Sequence, residues 1–99
     1  MTEEEARQKL DEYRVGIDEI DRQIVALLNE RTRVVEFIGR TKREGNLPIY
    51  EPKREELVFT NVKEANTGPI PQESVRRIFE RIIDEMRSLQ RIRMQSGDK

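Results

Sequence analysis

An unbroken helical pattern constrains this chain more than any other feature. No proline occurs before Pro48. Across that stretch Leu10, Tyr13, Ile17, Ile20, Ile24, Leu27, Val34 and Ile38 recur on a three- and four-residue spacing. That spacing makes one buried stripe on a helix. Thr2 and Glu5 suit a capping box, and acids fill the first turn, where the helix dipole favours them. Gly16 and Gly39 are weak breakers, whereas Gly45, Asn46 and Pro48 in "REGNLP" are strong ones. A helix over about residues 4–44 follows, roughly 60 Å long at 1.5 Å per residue. A compact monomer of this size has a radius of gyration of only about 13 Å. The helix therefore overhangs any monomeric core, and its apolar end needs another chain to cover it.

Composition points the same way. Ninety-nine residues make one domain, 1–99, and 34% hydrophobic against 39% charged is lean for a self-sufficient core. Net charge is −1 with both signs interspersed, which argues against a nucleic-acid partner. The chain has no Cys, which excludes a disulfide, a thiolate zinc site and a cysteine nucleophile. It has no His, which excludes imidazole acid–base chemistry and His-ligated metals. "MTEEEARQKL" is unlike a signal or transit peptide, and no apolar run approaches membrane-spanning length. The expectation is a soluble, cytoplasmic protein.

Two shorter helices complete the reading. In "PIYEPKREELVF", Pro52 suits a first helical turn, because its missing N–H costs nothing there. A helix from about 52 to 66 places Leu57, Val58, Val62 and Ala65 on its apolar face. "TGPIP" ends it, with Gly68 as a candidate C-terminal cap. A third helix, about 72–93, carries Val75, Ile78, Phe79, Ile82, Ile83, Met86 and Leu89, and is expected to fray within "RMQSGDK". No strand pattern or repeat stands out. The fold class is all-α: three helices, one of them very long.

Polar residues interrupt these apolar faces. With Leu10 at heptad position a, Arg31 falls at a in the middle of the first stripe, and Arg14 and Lys42 fall in the adjoining e row. Gln90 continues the Phe79, Ile83, Met86 row of the third helix. Arg54 and Glu55 stand at the mouth of the second. A buried cation needs an anionic partner. For Arg31 that partner is either a carboxylate elsewhere in the bundle or an anionic ligand, and the side chain can also snorkel. Each of the others alone reads as solvated surface or core edge. Together they are more informative. Arg31 and Lys42 lie roughly 16 Å apart along the axis, within reach of one small dianion. Arg14 lies roughly 25 Å further and joins the same ligand only from an antiparallel helix of a second subunit. A pocket of cations, a carboxylate and an amide binds a polyanion, or stabilises a charge-separated transition state by fixed electrostatics. It suits a unimolecular reaction that needs a restrained conformation.

The ordered set "YRVGIDEIDRQIVALLNERTRVVEFIGRTK", "PIYEPKREE" and "RIFERIIDEMRSLQ" closely resembles the all-helical class of chorismate mutases. The resemblance covers about residues 10–92 and rests on Arg14, Arg31, Lys42, Arg54-Glu55 and Gln90 together. It implies an interlocked, helix-swapped homodimer of three-helix chains. It implies the pericyclic rearrangement of chorismate to prephenate, in aromatic amino acid biosynthesis, without cofactor, metal or covalent intermediate. By the same resemblance Arg14 of the partner subunit and Lys42 hold the enolpyruvyl carboxylate. Arg31 holds the ring carboxylate, with Arg54 nearby. Lys42 and Gln90 donate to the ether oxygen, and Glu55 accepts from the ring hydroxyl. Glu51, one methylene longer, stands where many members have Asp before the Arg-Glu pair, and by the resemblance it is counted with the substrate-binding set. Met86 stands where a small polar residue is frequent, so it is left out of the binding set.

Two other readings remain open on the sequence. Isochorismate pyruvate lyase shares the fold and much of the cationic pocket, though its resemblance is poorer at Arg54-Glu55. A non-catalytic helical dimerisation or regulatory module is the alternative from another class.

Overall fold

Three helices follow one another along the chain: α1 (Glu3–Glu44), α2 (Pro52–Ala65) and α3 (Gln72–Gln95). The computed structural model describes residues 1–95, and no strand occurs among them. The expected boundaries hold to within two residues. Of "RMQSGDK", where fraying is expected, residues 93–95 are helical as the end of α3, and the rest lies outside the described residues.

The ends of α1 form as its sequence dictates. Thr2 N–H donates to Glu5 Oε1 at 3.2 Å, and Glu5 N–H donates to Thr2 Oγ1 at 3.1 Å, a reciprocal capping box. At the other end Gly45 N–H still reaches the Thr41 carbonyl, at 2.9 Å. Asn46 then turns to a φ of 56°, a left-handed conformation that asparagine tolerates better than most residues. Leu47 N–H folds back onto the Lys42 carbonyl at 2.7 Å.

The chain divides into two compact units, Met1–Val34 and the part from Val35 onward. The first unit is helix alone. Its surface carries ion pairs within the helix, such as Arg7–Glu3 at 2.6 Å and Arg22–Glu19 at 3.1 Å, which contribute little when so exposed. The apolar stripe read from the sequence is exposed along the whole unit: Ile17 is 55% exposed, Ile24 48% and Leu27 62%.

The second unit holds the end of α1 together with α2 and α3. Ile83 and Met86 of α3 are its buried apolar residues, and Gly39 of α1 is buried as well. On α2, Val58, Phe59 and Val62 are half-buried, whereas Leu57 and Ala65, expected on the same face, are exposed. The corner between α2 and α3 is polar. Asn66 Nδ2 donates to the Ile70 carbonyl at 2.9 Å and to Gln72 Oε1 at 3.0 Å, and Gln72 Nε2 donates to the Lys63 carbonyl at 2.9 Å. The expectation that Gly68 caps α2 is corrected here. Asn66 is the C-cap residue, its N–H on the Val62 and Lys63 carbonyls. Gly68, at φ 80°, lies two residues further on, its N–H held by Asn66 Oδ1 at 3.0 Å. The side chain of Asn66 organises the turn, and glycine supplies the positive φ that the turn needs.

Candidate active site

Lys42 occupies the last turn of α1, where the helix C-terminus favours a cation. Its side chain is only 12% exposed. Nζ donates to the Ile49 carbonyl at 2.8 Å and pairs with Glu51 Oε1 at 2.8 Å. The loop after α1 thus curls over the ammonium group. An ammonium has three donors, and these two contacts leave one.

Glu51 is the N-cap residue of α2, yet its side chain makes no cap hydrogen bond. The carboxylate is turned to Lys42 instead. The hydrogen bond and charge of Lys42, with a smaller contribution from Arg54, hold the Glu51 carboxyl below its ordinary range. Pro52 at the start of α2 removes one donor that the cap would otherwise have to satisfy.

Gln90 approaches α1 from α3. Its Nε2 donates to the Val35 carbonyl at 3.3 Å, and the side chain lies against Gly39. A Cβ on Gly39 would stand 3.4 Å from Gln90 Cγ, so the absence of a larger side chain there admits the amide. Val35, Gly39 and Lys42 share one face of α1 at i, i+4 and i+7. The Gln90 amide and the Lys42 ammonium therefore address the same side of that helix, within two turns.

Glu55, in the first turn of α2, is held by a residue that the sequence did not single out. Arg87 Nη2 lies 2.7 Å from Glu55 Oε2, with both side chains about one-fifth exposed, 22% and 23%. The Arg87 guanidinium also lies 5.2 Å from the centre of the Tyr50 ring and 3.8 Å from Asp84. Arg87 stands three residues before Gln90, on the same face of α3. Its signal was present in the sequence: it continues the Phe79, Ile83 row, as Arg31 interrupts the stripe of α1. A further pair, Arg93–Glu36 at 2.8 Å, ties α3 to α1 beyond Gln90.

The structure therefore brings Lys42, Glu51, Glu55 and Gln90 into one unit, with Arg54 exposed beside Glu51 on α2. Met86 is part of the apolar core. Arg14 and Arg31 belong to the other unit. Arg14 is exposed, 4.0 Å from Asp11, and Arg31 is half-buried. Among the described residues no three His, Cys, Asp or Glu side chains are grouped to hold a metal ion.

The half-buried polar residues Lys42, Glu55, Arg87 and Gln90 define a class: an all-helical protein with a fixed cluster of charges and an amide beside its apolar core. Comparison with known proteins specifies the class. The chain belongs to the chorismate mutase type II family, which residues 13–91 match. It is 40% identical over 88 residues to a bifunctional chorismate mutase/prephenate dehydratase of Aquifex aeolicus, an alignment that covers 85% of this chain and 24% of that protein. It is 29% identical over 85 residues to a chorismate mutase of Methanocaldococcus jannaschii, of which the alignment covers 86%. A solved structure of chorismate mutase from Thermus thermophilus superposes with a TM-score of 0.82 at 37% identity, over 84% of this chain and 94% of that one. The chain spans about a quarter of the length of the bifunctional relatives it matches. No helix among the described residues is long and apolar enough to cross a membrane.

Proposed function

We propose that this chain is a cytoplasmic chorismate mutase that converts chorismate to prephenate for aromatic amino acid biosynthesis, as a single domain paired with a second copy in an interlocked homodimer. The reaction is unimolecular: the ether C–O bond breaks while a new C–C bond forms. No proton or electron need enter or leave, so a site without imidazole or thiol is sufficient. The ether oxygen gains negative charge as its bond stretches. Donors fixed at that oxygen strengthen in the transition state, which is the differential interaction that accelerates a reaction. Lys42 and Gln90 take this role. The remaining donor of Lys42 is the observation that carries it: the ammonium is already oriented by Ile49 and Glu51, so little reorganisation is left for the reaction itself.

Glu55 receives the ring hydroxyl, with Arg54 and Glu51 at the same mouth of α2. Arg31 takes one carboxylate of the substrate. Arg14 of the partner subunit, with Lys42, takes the other. The exposed stripe on α1 supports the second copy, because large apolar side chains at heptad spacing are the surface that another helix covers.

The test is a continuous assay of chorismate loss by the purified chain beside Lys42→Ala, with products identified. Wild type forms prephenate, and Lys42→Ala lowers kcat/KM by on the order of 10²–10³-fold, the scale of losing one donor at a developing oxyanion. A folded protein that turns over no chorismate would overturn the proposal, and pyruvate released from isochorismate alone would move the assignment to the lyase.

A further inference from the structure

We infer that Arg87 is a positioning residue of this active site, acting through Glu55 to set the oxygen that receives the substrate's ring hydroxyl. The inference rests on the mutase reading above. Arg87 Nη2 holds Glu55 Oε2 at 2.7 Å, which leaves Oε1 outside that bond and available to a ligand. A free glutamate samples many rotamers, and each contact that fixes it lowers the cost of accepting a hydroxyl in one orientation. The anchor is itself fixed. Its guanidinium is flanked by the Tyr50 ring at 5.2 Å and by Asp84 at 3.8 Å, and guanidinium is well suited to lie against an aromatic face.

The geometry favours this one contact at the expense of another. Arg87 Nε is buried without a hydrogen-bond partner among the described residues. A buried donor left unsatisfied is destabilising. The short charge-assisted bond to Glu55 is what the observed rotamer secures. Tyr50 is adjacent to Glu51, the residue paired with Lys42. Arg87 thus supports the same loop and helix mouth that hold the ammonium group.

A double-mutant cycle in the full chain tests this: wild type, Arg87→Met, Glu55→Gln and the double variant, assayed on chorismate, with thermal unfolding measured for each. Arg87→Met is expected to lower kcat/KM about tenfold or more, the scale of a misplaced contact. In the Glu55→Gln background the same substitution changes kcat/KM by less than about twofold, because there is no carboxylate left to position. Arg87→Lys retains the charge without the planar fork and falls between wild type and Arg87→Met. Should Arg87→Met fail to fold, Arg87→Lys carries the same cycle. Losses that multiply in the double variant, or an Arg87 variant as active as wild type, would overturn the role of Arg87 while leaving the mutase reading intact. A wild-type chain without activity on chorismate would overturn both.

Discussion

Lys42 reaches across the loop that follows α1 to pair with Glu51, the residue at the threshold of α2, at 2.8 Å. This pair titrates. The Glu51 carboxyl is held below its ordinary value of 4.5, first by the hydrogen bond from Lys42 and then by its charge. A carboxyl with a depressed pKa in the folded state stabilises that state above its unfolded pKa. The contribution is lost as pH falls through the folded value. The expected outcome is that wild type and Glu51→Gln differ most in thermal unfolding midpoint at neutral pH and converge in acid. Midpoints measured across the acid range check this, and a constant gap between the two proteins would contradict it.

Gly39 predicts a size limit rather than a requirement for glycine. An added Cβ meets Gln90 Cγ at 3.4 Å, an ordinary van der Waals contact. Alanine also removes the helix penalty of glycine, about 1 kcal/mol. Gly39→Ala is therefore expected to be stabilised by up to about 1 kcal/mol with activity retained. Gly39→Leu is expected to displace the Gln90 amide and lower kcat/KM by about tenfold or more. Denaturant unfolding and steady-state kinetics on the two variants separate these outcomes. Equal activity in both would show that the Gln90 amide is not placed by this contact.

How legible this was in the sequence follows from the range of each signal. The Thr2–Glu5 box and Pro52 at the start of α2 are local patterns, and each is present as read; the α1 stripe is helical as read, but its apolar face is exposed rather than buried. Asn66 and Gly68 show the limit of such patterns. Glycine announced a helix end, but a side chain two residues earlier organises the turn. Lys42 and Gln90 are legible as polar residues beside or on apolar faces and Glu55 as a charge at the mouth of α2; spacing suggests a shared pocket, and the family resemblance supplies each residue's role. Arg87 continues the Phe79, Ile83 row, but its pairing with Glu55 does not show locally, because the partner lies 32 residues away on another helix. Glu51 was read as a pocket residue. Its diversion from capping α2 to holding Lys42 depends on where the loop places two chain ends, which propensity does not encode.

Gln90 predicts the pH response of activity. An amide donates a hydrogen bond at any ordinary pH, whereas a carboxyl must be protonated to do so. The wild-type kcat/KM is expected to stay flat between mildly acidic and neutral pH as far as this position is concerned. Gln90→Glu is expected to lose activity at neutral pH and recover it in acid, because its carboxylate would face both the Val35 carbonyl that Gln90 now bonds and the developing charge of the ether oxygen. A pH–rate profile of both proteins decides the matter, and identical profiles would remove Gln90 from the reacting centre.

The exposed stripe of α1 predicts that folding and association are coupled. Ile24, at 48% exposure, sits at heptad position a in the middle of the stripe, between Ile20 and Leu27, which are 51% and 62% exposed. An isolated helix with such a face gains little from propensity alone, since most helical stability in proteins comes from packing an amphipathic face. If a second copy covers the stripe, a charge at Ile24 is buried without a partner, at a cost of several kcal/mol. Ile24→Asp is then expected to shift the chain from dimer to monomer in sedimentation equilibrium, with a loss of helical circular dichroism and of chorismate turnover together. Glu12→Lys, on the opposite, polar side of the same helix, changes charge by two units against one for Ile24→Asp and is expected to leave association unaffected. A wild-type chain that sediments as a stable, fully helical monomer would show that the stripe is not covered by a second copy, and Arg14 would then have no route to the site proposed for it.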